Sequence, residues 1–157
     1  MDALLAGGAR TVTLSGGEPT LLRRRLIALV ARARAGGAAF VELQTNAILV
    51  DRHYAAELAA AGLGSAFVSL LSDDAALHDQ LAGLPGAFPR CLAGIDALLD
   101  AGVRVTLNPV IARATQARLG AAGGLRLVPT ATAWEPAGGR DVYFGAWDLG
   151  GGAEGSA

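Results

Sequence analysis

The sequence has almost no cysteine and no lysine. Cys91 is the single cysteine among 157 residues, which excludes an internal disulfide and a metal site built from several cysteines. All 13 basic residues are arginine, so a lysine Schiff base and a P-loop lysine are excluded within these residues. The net charge of −1 argues against general binding to nucleic acid or to a membrane surface, and we expect neither partner.

Long hydrophobic runs are also lacking. Neither a signal peptide nor an apolar stretch of membrane-spanning length is found, so a cytoplasmic location is expected. Hydrophobic residues nevertheless make up 52% of the chain and charged residues only 17%, as in a globular protein. The length predicts one domain, large enough to bury a core.

The chain is organised around the stretch TVTLSGGEPTL at residues 11–21. Its β-branched start predicts a buried strand, Thr11–Leu14, and the SGGEPT segment predicts a polar turn that leads into a helix. Two glycines allow positive φ or close approach of the backbone to a ligand. Thr20 is the expected N-cap of the helix. The pattern therefore predicts a βα loop with one carboxylate, Glu18, at the position where α/β enzymes carry their chemistry.

Similar strand–helix units follow along the chain. Strands are predicted at 39–43, 66–70 and 103–107, with weaker candidates at 125–128 and 142–144. Such spacing predicts right-handed crossovers and a parallel sheet, either a barrel or a doubly wound sheet. A barrel brings the polar groups that follow the strands to one rim: Glu18, Asn46, Ser69 and Asn108.

The intervening helices carry apolar faces. In the helix at 21–35 we expect Leu22, Leu26, Leu29 and Val30 to face inward, and in the helix at 88–101 we expect the same of Phe88, Leu92, Ile95, Leu98 and Leu99. Cys91 is interpreted as a small buried residue, His53 as a surface residue and Asp73-Asp74 as a helix N-cap. His78-Asp79 is interpreted as structural or close to a substrate.

These residues, taken in order, resemble the radical SAM superfamily. The resemblance rests on Ser15–Thr20, SGGEPT, and continues through QTN at 44–46, VSL at 68–70, HD at 78–79, GLPGAF at 83–88 and AGVRVTLNPVI at 101–111. It covers roughly residues 1–111 in the family's order. The family's fold implies an incomplete (β/α)6-type, TIM-like barrel with a parallel sheet, here missing its first βα unit.

The resemblance implies that S-adenosylmethionine is bound at the strand ends. Gly16, Gly17 and Glu18 would receive its amino group, and Pro19 and Asn46 would belong to the same cofactor site. In complete relatives a [4Fe–4S] cluster cleaves this cofactor reductively, and the 5′-deoxyadenosyl radical abstracts a substrate hydrogen.

Three further residues are assigned by the resemblance. Ser69 lies where relatives hold the methionine carboxylate or the ribose, and Arg90 is a charged partner for that carboxylate through bidentate bonding. Asn108 would sit beside the ribose or the adenine. The substrate, a small molecule or a peptide, is not readable from these residues.

One departure from the family is plain, because the CxxxCxxC triad that binds the cluster is absent. Three alternatives follow: part of a radical SAM enzyme that lost its N-terminal section, a non-catalytic adenosyl-binding or scaffold domain, or an unrelated barrel enzyme using acid–base chemistry. No metal ligands are predicted here, and this chain alone is expected to be inactive.

The predicted organisation is a partial radical SAM core at residues 1–149 and a disordered tail at 150–157. If the first strand is missing, Thr11–Leu14 is an exposed edge, and the chain is expected to self-associate through it.

Overall fold

The computed structural model describes residues 1–109 and the backbone of residues 142–144. The predicted strand at 125–128 and the predicted tail at 150–157 lie outside the described residues. Within the described part no helix is long and apolar enough to cross a membrane.

Strands and helices alternate along the described chain. The strands are β1 (Thr11–Leu14), β2 (Phe40–Thr45), β3 (Ser65–Val68), β4 (Arg104–Leu107) and β5 (Val142–Phe144). The helices are α1 (Asp2–Ala6), α2 (Arg23–Ala35), α3 (Arg52–Ala61), α4 (Ala75–Ala82) and α5 (Ala87–Asp100). A 3₁₀ turn, Pro19–Leu22, precedes α2.

All five strands form one parallel sheet in the order β1-β2-β3-β4-β5. A doubly wound sheet reverses its strand order near the middle, whereas a barrel adds each strand beside the previous one. The sequential order therefore confirms the partial, barrel-like α/β fold predicted from the sequence. Among the residues that the structure describes, β1 pairs with β2 alone and so lies at one edge of this sheet.

The core lies between the sheet and its helices. Alternate residues of β2, such as Val41 and Leu43, are fully buried, and Leu26 and Val30 of α2 pack in the same cluster. This alternation is the signature of a strand with one face against helices.

Helix ends follow the usual capping rules at several positions. The Asp51 side chain accepts a hydrogen bond from the Tyr54 N–H at 2.6 Å and begins α3, and Gly62 ends that helix in the left-handed region at φ 103°. Asp74 caps α4 by accepting from the Leu77 N–H at 2.9 Å, as predicted for the Asp73-Asp74 pair.

The prediction that Leu22, Leu29 and Leu92 face inward is wrong. Leu22 is 52% exposed, Leu29 39% and Leu92 38%. Leu22 belongs to the 3₁₀ turn rather than to α2, and the buried stripe of α2 continues instead through Ala33. A periodic pattern gives the width of an apolar face but not the side on which a neighbouring helix covers it.

Candidate functional site

The ends of β1 to β4 meet at one edge of the sheet, as predicted. The Ser69 N–H donates to the Thr45 carbonyl at 3.0 Å, and the Asn108 N–H donates to the Val68 carbonyl at 2.8 Å. The polar residues that follow these strands are half-buried rather than covered: Glu18, Asn46, Ser69 and Asn108. We call this set, together with Gly16 and Gly17, the strand-end face.

The turn after β1 contains two glycines with positive φ and open space around them. Gly16 has φ 107° and Gly17 has φ 55°, and a Cβ built at either one would meet no atom within 4 Å among the described residues. Their backbone is therefore exposed and approachable by a ligand, in a conformation that other residues rarely adopt. Pro19 is buried at the first position of the 3₁₀ turn.

Glu18 is the carboxylate of the strand-end face, and its two oxygens have different surroundings. Oε1 accepts hydrogen bonds from the Thr20 N–H at 3.0 Å, the Thr20 hydroxyl at 2.5 Å and the Thr45 hydroxyl at 2.7 Å. Oε2 accepts from the Asn46 N–H at 2.9 Å. The Glu18 carboxylate thus joins the turn after β1 to the end of β2.

These bonds correct the predicted cap of the first helix. Thr20 is not the N-cap, because Glu18 accepts the Thr20 N–H and caps the 3₁₀ turn. The Thr20 hydroxyl is itself a donor to Glu18 and is buried. A longer side chain two residues earlier therefore takes the capping position that the sequence rule assigns to threonine.

Asn46 is fixed by its own local turn. Its side-chain oxygen accepts the Ile48 N–H at 3.0 Å, which sets the direction of the amide at the end of β2. The next residue, Ala47, is fully buried and adopts a left-handed φ of 59°. Such a backbone is uncommon outside glycine, so this loop has a defined shape rather than a variable one.

A chain of contacts links the turn to α3. The Tyr54 hydroxyl donates to the Thr20 carbonyl at 3.3 Å, and the Arg23 guanidinium lies 4.5 Å from the centre of the Tyr54 ring. Arg23 is in turn paired with Asp51 at 3.3 Å and Glu57 at 3.2 Å. Burial raises the pKa of Tyr54 to about 12, although the charge of Arg23 acts in the opposite direction. The Tyr54 hydroxyl therefore stays protonated and remains a hydrogen-bond donor.

Arg90 is bound to the loop that precedes its own helix. Its Nε donates to the Gly86 carbonyl at 3.0 Å, and its terminal nitrogen donates to the Pro85 carbonyl at 3.2 Å. It also lines a groove of about 350 Å³ between α3 and α5, together with Ile48, Val50, Asp51, Arg52, Ala93, Asp96 and Ala97. The structure therefore places this guanidinium beside the 83–86 loop and the helix layer.

The His78-Asp79 pair separates into two structural environments. Asp79 accepts the N–H groups of Gly86 at 2.5 Å and Phe88 at 2.8 Å, and these bonds, the one from Phe88 first, lower the pKa of Asp79. His78 is 2% exposed, and neither ring nitrogen has a hydrogen-bond partner among the described residues. Burial lowers the pKa of His78, so the neutral ring is favoured.

The single cysteine does not fit a metal site. Cys91 is fully buried inside α5, and burial raises the pKa of its thiol to about 12. No group of three or more His, Cys, Asp or Glu side chains among residues 1–109 and 142–144 is arranged to hold a metal ion. A [4Fe–4S] cluster needs thiolates, and this chain offers neither their number nor an accessible one.

Sequence reasoning missed the roles of Thr45 and Tyr54. Thr45 falls at the same position of the β2 alternation as Val41 and Leu43, where a hydrophobic residue is expected. A polar residue at a buried position of a strand normally has a specific partner, so the alternation itself carried the signal. Tyr54 gave none, because a tyrosine on the inner face of a helix is ordinary core composition.

The comparisons with known proteins agree with this geometry. The model of one family, described as the Radical SAM superfamily, matches residues 1–114. An "AdoMet-dependent heme synthase" of Methanosarcina barkeri is 34% identical over 113 residues, which cover 72% of this chain and 32% of that protein. A "GTP 3',8-cyclase" of Synechococcus sp. is 36% identical over 118 residues, covering 66% of this chain and 34% of that protein.

A solved structure shares the fold. A domain of the pyruvate-formate lyase-activating enzyme of Bacteroides vulgatus superposes with a TM-score of 0.56 at 22% identity, over 66% of this chain and 61% of that one. The chain spans about a third of the length of the curated relatives, 32% and 34% of the two described above. The match of the family model to residues 1–114 shows that the third alternative from the sequence, an unrelated barrel enzyme, is wrong.

Proposed function

Because the chain belongs to the radical SAM superfamily, we propose that its strand-end face binds S-adenosylmethionine. The observation that carries the proposal is the open backbone of Gly16 and Gly17 beside the Glu18 carboxylate, at an edge where three further polar strand ends meet. Exposed backbone next to a carboxylate suits an α-amino acid head group, whose ammonium needs acceptors at short range.

Each residue of the face has a proposed part in binding. The Gly16 and Gly17 backbone and Glu18 Oε2 take the ammonium group, while Ser69 contacts the methionine carboxylate or the ribose. Asn46 and Asn108 flank the ligand, Asn108 next to the ribose or adenine, and Pro19 sets the angle of the turn. For Arg90 to reach the carboxylate, its bonds to the Gly86 and Pro85 carbonyls must be exchanged.

In the family the bound cofactor supplies a 5′-deoxyadenosyl radical for hydrogen abstraction. Any cluster working with this face needs thiolates from residues beyond these 157, because Cys91 is buried and alone. That same observation favours a second candidate for this chain by itself, a non-catalytic adenosyl-binding domain.

Equilibrium dialysis with labelled S-adenosylmethionine tests the binding proposal on the 157-residue chain. We expect weak, saturable binding that Gly17→Val abolishes, since valine is strained at φ 55° and would occupy the open turn. Arg32→Ala is the matched control, because Arg32 pairs with Asp2 on the outer side of α2 and should leave binding unchanged. Absence of saturable binding in the unaltered chain would overturn the proposal.

Anaerobic iron–sulfide reconstitution separates the two candidates. The 157-residue chain should remain colourless and form no 5′-deoxyadenosine. A longer chain carrying a CxxxCxxC loop should bind iron and sulfide and form 5′-deoxyadenosine. Stoichiometric iron and sulfide on the short chain, with cleavage of the cofactor, would contradict the assignment of Cys91 as a core residue.

A further inference from the structure

Thr45 is a buried hydroxyl at the last position of β2, 5% exposed. Its Oγ1 accepts the Ala47 N–H at 3.0 Å and donates to Glu18 Oε1 at 2.7 Å. A hydroxyl has one proton, and the Ala47 N–H can only donate, so that proton is directed to Glu18. The Ala47 N–H thereby fixes the direction of the Thr45 donor.

The Glu18 oxygens differ in what they can still accept. Oε1 already has three donors, from the Thr20 backbone, the Thr20 hydroxyl and Thr45. Oε2 has one donor, the Asn46 N–H, and each carboxylate oxygen has two lone-pair sites. A cation reaching the strand-end face would therefore meet Oε2, provided that the carboxylate cannot rotate.

We propose that Thr45 is a positioning residue that holds Glu18 with Oε2 directed at the ammonium group of the ligand. The proposal rests on the proposed function and names a residue of that same site. Thr45 does not touch the ligand in this arrangement; it acts by keeping Oε1 occupied. Thr20 binds the same oxygen from the segment that also carries Glu18, whereas Thr45 binds Oε1 from a separate strand; the Asn46 N–H holds the other oxygen, Oε2.

The test compares two ligands that differ by the amino acid part and by the positive charge that this part creates at the sulfonium sulfur. S-adenosylmethionine carries the ammonium group, whereas 5′-methylthioadenosine has the adenosyl group without it. Thr45→Val keeps the size of the side chain but removes both hydrogen bonds, and Thr45→Ser keeps the hydroxyl. Affinities for both ligands are measured by equilibrium dialysis on the full 157-residue chain, with circular dichroism to show that each variant folds.

Thr45→Val should lower the preference for S-adenosylmethionine over 5′-methylthioadenosine about tenfold, the usual effect of one hydrogen bond to a charged group. Thr45→Ser should keep that preference within about twofold. If Thr45 had a purely structural role, Thr45→Val would weaken the binding of both ligands equally. That result would overturn the positioning role while leaving the binding proposal intact. If the unaltered chain binds neither ligand, both proposals are wrong.

Discussion

A Cβ atom added at Gly94 would lie 2.0 Å from the carbonyl oxygen of Ala47, so the backbones of α5 and of the loop after β2 are in direct contact. This contact leaves no room for a side chain at position 94, which accounts for the glycine in the middle of α5. Through it α5 packs against the loop that carries Asn46, one of the polar residues of the strand-end face.

Gly94→Ala should destabilise the protein, although alanine is the better helix former. Backbone atoms cannot move aside as a flexible side chain can, so we expect a loss of about 1–3 kcal/mol, as for other overpacked cores. Urea denaturation followed by circular dichroism measures the change. The control is Ala93→Gly, because Ala93 is exposed in the same helix. That substitution should lower the free energy of unfolding by about 1 kcal/mol through helix propensity alone. A Gly94→Ala variant as stable as the parent would contradict this close approach.

The open edge of β1 predicts self-association of the chain. Thr11 and Thr13 are exposed, and Leu21 and Leu22, in the turn that follows β1, are 70% and 52% exposed. Unpaired strand edges with adjacent apolar groups pair with other chains. Light scattering over a concentration series should show a mass above that of the 15.8 kDa monomer.

Thr13→Lys should shift this equilibrium towards the monomer, since an edge lysine opposes strand pairing. Gln80→Lys adds the same charge on the exposed surface of α4 and should leave the association unchanged. A monomer at every concentration would sink the edge-pairing hypothesis.

Protonation of His78 should make stability depend on pH. Burial lowers its pKa in the folded state below the ordinary value of 6.5, so the unfolded chain binds the proton more readily. The stabilisation is therefore present above pH 6.5 and is lost as the pH falls through the lower folded pKa, by at most about 1.4 kcal/mol per pH unit. Asp79, 3.9 Å away, opposes the shift only partly.

His78→Phe should remove this slope from the free energy of unfolding between pH 7 and pH 5, because phenylalanine fills the site without titrating. His53→Gln is the matched control, since the His53 side chain is 79% exposed on α3. The comparison of variants also cancels the titration of Glu42, whose pKa burial raises. Equal slopes in the parent and in His78→Phe would show that His78 does not titrate as argued.

Cys91 should be chemically inert in the folded protein. Its thiol is fully buried with a pKa of about 12, and the thiolate is the reactive form. A chromogenic disulfide reagent should therefore react slowly in buffer and rapidly in denaturant. Ala93→Cys in a Cys91→Ala background provides an exposed thiol on the same helix and should react at once. Rapid reaction of native Cys91 would mean that α5 opens.

The sequence predicted parallel strands and the edge at which polar residues gather, because strand alternation and βα spacing are local properties. The barrel-like strand order followed from the family resemblance, since the spacing also suited a doubly wound sheet. It did not predict that Glu18 would cap the turn in place of Thr20, since the choice depends on Thr45, a residue of another strand. The surroundings of Arg90 were equally unreadable, because the carbonyls that it binds are exposed only by the shape of a loop.

Asp79 and Arg90 together change what the glycine- and proline-containing segment at 83–86 can do. Such a composition normally indicates a turn or loop. Here one carboxylate holds the N–H groups of Gly86 and Phe88, and one guanidinium holds the carbonyls of Pro85 and Gly86. Since both partners belong to the flanking helices, α4 and α5 are coupled as a single rigid hairpin, and bending between them would require charged groups to give up their partners first.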